Sequence, residues 1–209
     1  KNSKKKFYLT EEQSKALRSL NKEIKNFRVH VLQGTTGSGK TIVYFESVKA
    51  IIKKGYQCLI MLPEIGLTRQ FEEKFREFFG FNPAIWHSGI SKKNKKIIWS
   101  GISSGKLNIV IGARSSLFLP FKNLGLIIVD EEHDQSYKQD EGVIYNARDM
   151  AISRAQFQNI PINLGIIVVD EEHDQSYKQD EGVIYNARDM AISRASFENI
   201  PVNLVTAVP

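Results

Sequence analysis

Cysteine is almost absent from this chain of 209 residues, in which Cys58 is the only one. A single cysteine forms neither an internal disulfide nor a cysteine-based zinc site, so we expect no zinc and favour a reducing, cytoplasmic location. Long apolar runs are also missing: no stretch approaches the roughly 20 residues of a membrane span, and no secretory signal is present. We therefore expect no membrane partner. Since the chain begins at Lys1 and stops abruptly at Pro209, we expect a fragment.

Acidic residues are scarce in the first part of the chain. The net charge of +6 combines a basic segment, 1–124, with 23 basic and 8 acidic residues, and an acidic remainder. A basic body favours polyanions, above all nucleic acid, although surface charge for solubility is the plainer interpretation. The same two interpretations apply to a lysine-rich helix predicted after Ser91, whose lysines either face solvent or contact phosphate.

The most informative stretch is 34–41, here called the phosphate loop, which fits the pattern G-x-x-x-x-G-K-[ST]. An apolar run predicts a strand before it, and the pattern from Ile42 to Lys54 predicts a helix after it. Glycines let backbone N–H groups converge on phosphate oxygens, and the helix N-terminus favours negative charge. We predict that Lys40 reaches the β- and γ-phosphates of ATP and that the Thr41 hydroxyl binds magnesium. The predicted nucleotide-binding residues of the loop are Gly34, Thr35, Thr36, Gly37, Ser38, Gly39, Lys40 and Thr41.

Gln13 has two interpretations. Thr10 and Gln13 have the spacing of a capping box, in which each side chain bonds the other residue's backbone N–H. Helicases often place a glutamine upstream of the phosphate loop to contact adenine, so Gln13 is also a candidate nucleotide-binding residue. The sequence leaves both interpretations open.

Strand-like and helix-like stretches alternate through the chain, which predicts an α/β fold with a mostly parallel sheet. The apolar run 126–129 leads into Asp130, Glu131, Glu132 and His133, here called the acidic turn, 130–133. Such a strand delivers carboxylates to the ligand crevice. We predict that Asp130 holds magnesium, that Glu131 orients or polarises the attacking water, and that His133 links the site to neighbouring motifs. The phenylalanines of 71–79 are instead expected to be core.

Residues 125–164 are repeated almost exactly as 165–204, with differences at only five positions. A tandem duplication, or a damaged coding sequence, explains two copies better than a solenoid does. We predict two segments, a nucleotide-binding lobe at 1–164 and a repeated strand–helix segment at 165–209. One phosphate loop has room for one acidic strand beside it. We favour the strand of the first copy, 125–164, because a short connection leads into it. The converse, with Asp170 in the site, stays open.

From about Tyr8 to Leu164 the chain resembles the N-terminal helicase lobe of the PriA family of superfamily 2 replication-restart helicases. The stretches that support this resemblance are 34–41, 62–68, 87–89, 111–118 and 125–133, together with 136–139 and 145–149. The resemblance implies a RecA-like fold and an ATP-driven 3′-to-5′ DNA helicase that helps to reload replication proteins at stalled forks. It also implies backbone contacts to forked or single-stranded DNA from Thr68, Arg114 and Ser115, without base specificity.

The chain also departs from that family. Thr206-Ala207-Val208-Pro209 stands where the family has a sequence near Ser-Ala-Thr-Pro, which puts the coupling of hydrolysis to unwinding in doubt. We expect the second lobe and its arginine finger to be missing, and therefore slow ATP hydrolysis at best. Two hypotheses result: a fragment of a DNA helicase, or a non-catalytic remnant that at most binds ATP–magnesium or DNA. A nucleotide kinase is disfavoured because no lid is recognisable.

Overall fold

The computed structural model describes residues 7–22, 26–35, 37–63, 66–139 and 144–167. These residues belong to the first of two compact units, Lys1–Ile167. Their helices are α1 (Glu11–Asn21), α2 (Lys40–Lys53), α3 (Arg69–Phe79), α4 (Lys92–Ser103) and α5 (Ala147–Phe157). The strands are β1 (Val29–Gly34), β2 (Gln57–Met61), β3 (Ala84–Trp86), β4 (Ile109–Gly112), β5 (Leu124–Val129), β6 (Lys138–Gln139), β7 (Tyr145–Asn146) and β8 (Ile162–Ile167).

Six strands form one parallel sheet in the order β1-β8-β5-β2-β4-β3, and β6 and β7 form a small antiparallel ribbon. Every residue of the central strands β2, β4 and β5 is buried, as expected for a parallel sheet covered on both faces. The edge strands β1 and β3 are more exposed. The α/β prediction is confirmed.

Alternate residues of each central strand face opposite sides of the sheet. Leu59 and Met61 of β2 contribute to a core with α4 and α5, while Cys58 and Ile60 contribute to a core with α1, α2 and α3. The second core is aromatic, because Phe45 of α2 lies against four phenylalanine rings of α3. The prediction that the phenylalanines of 71–79 are core is confirmed for the fully buried Phe75 and its neighbours.

Local signals place the helix starts as the sequence predicts. Thr10 and Gln13 form the capping box of α1, Ser91 caps α4, and Thr68 caps α3. Gly55, just beyond the last turn of α2, has a φ of 85°, which favours glycine. Among the described helices, none is long and apolar enough to cross a membrane.

Strand β8 lies between β1 and β5, so the acidic strand is not the direct neighbour of the strand that enters the phosphate loop. The expectation of direct adjacency is therefore corrected. Strand β8 runs across positions 164 and 165, where the first copy of the repeat ends and the second begins. Asp130 follows β5, and the corresponding Asp170 lies outside the described residues, as do 206–209. The division into 1–164 and 165–209 stays a prediction.

Candidate functional site

The parallel sheet brings most of the predicted site residues that the structure describes to the carboxyl ends of its strands. The phosphate loop follows β1, the acidic turn follows β5, Thr68 follows β2, and Arg114 and Ser115 follow β4. Because the strands are parallel, these connections all leave the carboxyl edge of the sheet, where α/β proteins bind their ligands.

Close approaches that only glycine permits build the phosphate loop. Gly37 and Gly39 have φ values of 81° and 85°, in the left-handed region. A Cβ on Gly34 would lie 2.5 Å from Ser38 Oγ, and one on Gly39 would lie 2.5 Å from Gln13 Nε2. Thr36 lies outside the described residues. The loop is therefore a tight backbone turn in which a side chain at Gly34 would displace that of Ser38 and one at Gly39 would displace that of Gln13, as suits a phosphate cradle.

Lys40 folds back over the loop. Its Nζ donates hydrogen bonds to the carbonyl oxygens of Gly34 at 2.5 Å and Thr35 at 3.1 Å, which places the ammonium group at the mouth of the turn. Helix α2 begins at the same residue, and its N-cap Gly39 offers no side-chain cap. A positive side chain and the uncapped positive end of a helix dipole therefore meet at one point, which fits an anionic ligand.

Gln13 connects α1 to the phosphate loop. Its Oε1 accepts a hydrogen bond from the Thr10 backbone N–H at 2.9 Å, and its Nε2 donates one to the carbonyl of Ser38 at 2.8 Å. The capping interpretation is confirmed. The amide also lies against the loop, which the capping box does not require, and contact with adenine stays a prediction.

Asp130 is held at four points. Its Oδ2 accepts a hydrogen bond from the Tyr44 hydroxyl at 2.9 Å, and its Oδ1 accepts one from the Glu131 backbone N–H at 3.2 Å. Its carbonyl accepts a hydrogen bond from the Tyr137 hydroxyl at 2.7 Å, and its N–H donates to the carbonyl of Met61 at 3.0 Å. Two buried phenols thus fix both the backbone and the carboxylate of this residue.

Tyr44 lies near both predicted magnesium ligands: it stands one turn after Thr41 on α2, which lowers the pKa of the phenol against the larger effect of burial, and its hydroxyl donates to Asp130 at 2.9 Å. Among the described residues no cluster of three or more His, Cys, Asp or Glu forms a metal site by itself. Magnesium in nucleotide sites typically takes one or two protein oxygens and completes its shell with phosphate oxygens and water. The Thr41 hydroxyl and the Asp130 carboxylate, both near Tyr44, fit that pattern.

Burial governs the electrostatics of this site. It raises the pKa of the Asp130 carboxyl, while the Tyr44 hydrogen bond and the charges of Lys40 and Lys74 lower it. Burial also raises the pKa of the Tyr44 hydroxyl well above its usual value, so this group stays a donor to the carboxylate. Lys74 of α3 is half-buried, and burial lowers its pKa against the opposing effect of Asp130. Asp130 is therefore a desolvated carboxylate that lies close to two lysines.

The other acidic side chains of the turn have separate partners. Glu131 has a φ of 51°, unusual for a residue other than glycine, and its Oε2 lies 3.9 Å from His133 Nε2. Burial followed by the charge of Asp130 raises the pKa of Glu131. Glu132 instead accepts a hydrogen bond from Arg148 Nη1 at 2.8 Å, which ties the turn to α5. Glu131 and His133 are thus the partly exposed pair, and Glu132 is structural.

The three predicted DNA contacts each have a bond within the chain. Thr68 Oγ1 accepts from the Phe71 N–H at 3.2 Å and caps α3, and Arg114 donates to the carbonyl of Lys138. Ser115 is exposed, and its Oγ accepts from Trp86 Nε1 at 3.1 Å. Their positions at the carboxyl edge agree with the prediction, and their role toward DNA is still a prediction.

Sequence reasoning missed Tyr44, Lys74 and Tyr137. Tyr44 lies three residues after Thr41, one turn along α2, and Tyr137 lies seven residues after Asp130. The helical spacing of Tyr44 could have suggested proximity to the site. Tyr137 gave no such signal, because no helix spans the chain from Asp130 to Tyr137. Lys74 gave no local signal, since only the packing of α3 on the sheet brings it close to Asp130.

Comparison with known proteins agrees with this geometry. The family described as "Type III restriction enzyme, res subunit" matches residues 6–201. Replication restart protein PriA of Rickettsia conorii is 55% identical over 154 residues, covering 74% of this chain and 23% of that protein. PriA of Bacillus subtilis is 42% identical over 156 residues, covering 74% of this chain and 19% of that protein. The chain thus spans about a fifth of the length of these curated relatives.

Solved structures give the same fold. A RecG structure bound to a three-way DNA junction is 26% identical and matches with a TM-score of 0.56 over 77% of this chain and 21% of that chain. The UvsW helicase of bacteriophage T4 is 18% identical and matches with a TM-score of 0.52 over 77% of this chain and 53% of that chain. The second likeness concerns the fold alone.

Proposed function

The chain belongs to the family described as "Type III restriction enzyme, res subunit", and from this premise we propose that it is the nucleotide-binding lobe of an ATP-dependent DNA helicase of the PriA type. The observation that carries the proposal is the hydrogen bond from Tyr44 to Asp130, which ties the acidic turn to α2 one turn after Thr41, next to the phosphate loop and Lys40. A hydroxyl, a carboxylate and an ammonium group then surround one space, as ATP hydrolysis requires.

In this proposal Lys40 leaves the carbonyls of Gly34 and Thr35 and binds the β- and γ-phosphates of ATP. Thr41 and Asp130 hold the magnesium ion, Asp130 through water. Magnesium supplies positive charge that stabilises the phosphoryl group during transfer. Glu131 accepts a proton from the attacking water or orients it, and His133, whose Nε2 lies 3.9 Å from Glu131 Oε2, links the site to neighbouring motifs. The nucleotide site otherwise consists of the backbone of 34–39 and Gln13.

DNA is the proposed second ligand, and the basic segment 1–124 and the position of Thr68, Arg114 and Ser115 support it. The RecG relative is bound to a three-way DNA junction, and the PriA relatives are replication restart proteins. We extend both features to this chain: forked or single-stranded DNA as substrate, movement 3′ to 5′, and replication-restart proteins in the cytoplasm as partners.

The first experiment measures ATP hydrolysis and binding of a fluorescent ADP analogue by the full chain, with and without forked DNA. We expect magnesium-dependent binding that Lys40→Ala reduces at least tenfold, because a charge-assisted phosphate contact is lost. Lys53→Ala is the matched control, since Lys53 is an exposed lysine of the same helix. Equal nucleotide binding by Lys40→Ala and the unmodified chain would contradict the proposal.

A second candidate is a non-catalytic protein that binds ATP–magnesium or DNA, and the 40-residue repeat favours it. Residues 165–204 add a second copy of the acidic sequence, and 206–209 depart from the sequence that, by the resemblance, couples hydrolysis to unwinding. Nucleotide binding without any DNA-stimulated hydrolysis, in a chain that is folded by circular dichroism, would select this candidate over the helicase lobe.

A further inference from the structure

An exposed aromatic and basic surface lies beside the edge strand of the sheet, away from the phosphate loop in the strand order. We call it the Trp–Lys face and define it by Trp86 of β3 and by Lys92, Lys95, Lys96 and Trp99 of α4. Strand β3 pairs only with β4, so the sheet ends here.

Helical geometry aligns the α4 residues of this face. Lys92, Lys96 and Trp99 are spaced by four, three and seven residues, and therefore lie along one side of the helix. Ile98 and Ile102 mark the buried side of α4, which lies about 100° around the helix from this strip. The lysines and the indole thus form one continuous exposed strip about 10 Å long, at 1.5 Å per residue.

The charged residues of α4 are all positive and lie near its N-terminus. Its first five residues contain four lysines, and no acidic residue stands among its twelve. Positive charges near a helix N-terminus oppose the helix dipole, so this arrangement weakens α4 locally and needs another reason to exist. Lys95 Nζ donates to the carbonyl of Ser88 at 3.1 Å, which fixes one of the lysines at the start of the strip.

The aromatic side chains are placed for contact with a ligand. Trp99 is 49% exposed, a large fraction for an indole, and its ring centroid lies 6.4 Å from that of Trp86. Trp86 in turn donates its Nε1–H to Ser115, one of the predicted DNA contacts. The Trp–Lys face is therefore continuous with the predicted DNA contacts at the carboxyl edge.

We propose that the Trp–Lys face binds a single-stranded segment of nucleic acid, with Lys92 and Lys96 at its phosphates and an unpaired base stacked on Trp99. The inference rests on the proposed function, in which DNA is a ligand, and adds where an unpaired strand runs. Single-strand binding proteins combine these two features, a positive track and exposed aromatic rings, because every base offers a flat face. A duplex also offers phosphates to the lysines, but its bases are stacked on each other and are not available to the indole of Trp99.

Intrinsic fluorescence tests the proposal directly, because Trp86 and Trp99 are the only two tryptophans of the chain. In Trp86→Phe, Trp99 is the sole reporter. We expect oligo-dT of twelve nucleotides, about the site size of one small single-strand binding module, to quench this fluorescence saturably. A blunt duplex of equal length should quench it much less at equal phosphate concentration.

Binding of labelled oligo-dT, followed by anisotropy, supplies the second readout. Trp99→Ala should weaken binding about tenfold, within the range of a lost base–aromatic stack, and Trp99→Phe should recover part of the loss. Lys92→Ala/Lys96→Ala should reduce the slope of log K against log salt by about 1.4, at roughly 0.7 per single-strand phosphate. Lys53→Ala/Lys54→Ala is the charge-matched control on α2 and should change neither quantity as much.

The outcomes separate this inference from the function on which it rests. If oligo-dT and forked DNA both fail to bind, the DNA part of the proposed function fails, and the inference with it. If DNA binds but Trp99→Ala and Lys92→Ala/Lys96→Ala leave affinity and salt slope unchanged, only the inference is overturned. Equal quenching by the duplex, or by polyglutamate, would also overturn it, since either would show a general polyanion surface or a site for an acidic protein.

Discussion

The nucleotide edge, by which we mean the phosphate loop and the acidic turn with their neighbours, differs from the Trp–Lys face in burial. Both regions combine aromatic with charged or polar side chains, but the first buries several of them and the second exposes most of them. At the nucleotide edge, Tyr44, Asp130 and Tyr137 are buried and joined by hydrogen bonds of 2.7 and 2.9 Å. At the Trp–Lys face, Lys92, Lys96 and Trp99 are exposed. Buried polar networks fix one geometry, because a lost partner leaves a desolvated group behind, whereas exposed charges act nearly independently and are screened by salt.

Small side-chain changes should therefore lower nucleotide affinity strongly at the nucleotide edge and lower nucleic-acid affinity only weakly at the Trp–Lys face. An added side chain at Gly34 or Gly39 would displace a neighbouring polar side chain, and the residues around the loop contact each other through single hydrogen bonds. The lysines of α4 can change rotamer without disturbing the core below them, which Ile98 and Ile102 form. The predictions below test this contrast from its largest expected effect to its smallest.

The largest effect is expected for Gly39→Ala. The new Cβ would stand 2.5 Å from Gln13 Nε2, so the Gln13 amide must leave the loop, and the φ of 85° strains the backbone of any residue other than glycine. We expect nucleotide affinity to fall roughly hundredfold, from about 1–3 kcal/mol of backbone strain plus the clash. Gly37→Ala is the matched control: its φ is 81°, but nothing lies within 4 Å of its added Cβ. Titration with a fluorescent ADP analogue measures both, and equal losses would show that the contact with Gln13 has no effect.

The next effect concerns the two copies of the acidic turn. Asp130→Asn should weaken magnesium-dependent nucleotide binding about tenfold or more, as expected when a charge-assisted interaction is lost. Asp170→Asn, the same change in the second copy, should have less effect. Isothermal titration with ADP in magnesium and in EDTA separates the metal-dependent part. Equal or reversed losses would contradict the assignment of Asp130 to the site.

A smaller effect is expected for Tyr44→Phe, which removes the hydroxyl between Thr41 and Asp130 and keeps the ring. Groups that orient metal ligands are typically worth about 10–100-fold in metal affinity, and we expect the lower end of that range. Binding of Mn²⁺ with ADP, followed by electron paramagnetic resonance, should weaken, while ADP affinity in EDTA stays the same. Tyr56→Phe is the control, because Tyr56 is 37% exposed. A parallel loss of metal-free ADP affinity would indicate a change of fold instead.

The smallest effect belongs to the exposed region. Lys96→Ala should lower the affinity for oligo-dT less than about fivefold at 0.1 M salt, as expected for one solvent-screened ion pair. Lys93→Ala should have less effect still, since Lys93 is turned about 100° away from Lys92 around α4. Anisotropy titrations at two salt concentrations measure both. A loss for Lys96→Ala as large as that of Gly39→Ala for nucleotide would remove the contrast between the two regions.

Much of the fold could be predicted because its signals are local. The phosphate loop, the buried strands and the caps at Thr10 and Ser91 depend on residues within a few positions of each other. The order of the strands had no such signal. Strand β8 enters between β1 and β5, and it is composed of residues from both copies of the repeat, which share almost the same sequence. Two near-identical segments can compete for one position, so pattern alone does not choose between them.

The candidate site divides in the same way. The sequence by itself determined its chemical groups: the glycines of the phosphate loop, Lys40, Thr41 and the carboxylate of Asp130. Only the tertiary structure decided their surroundings, namely that the Tyr44 hydroxyl bonds the Asp130 carboxylate, that Tyr137 bonds the Asp130 carbonyl, and that Lys74 approaches from α3. The physical reason is the separation along the chain of the residues that interact. Loop conformation and helix capping are set by neighbours in the chain, whereas desolvation and hydrogen bonds between distant elements exist only after the sheet has brought those elements together.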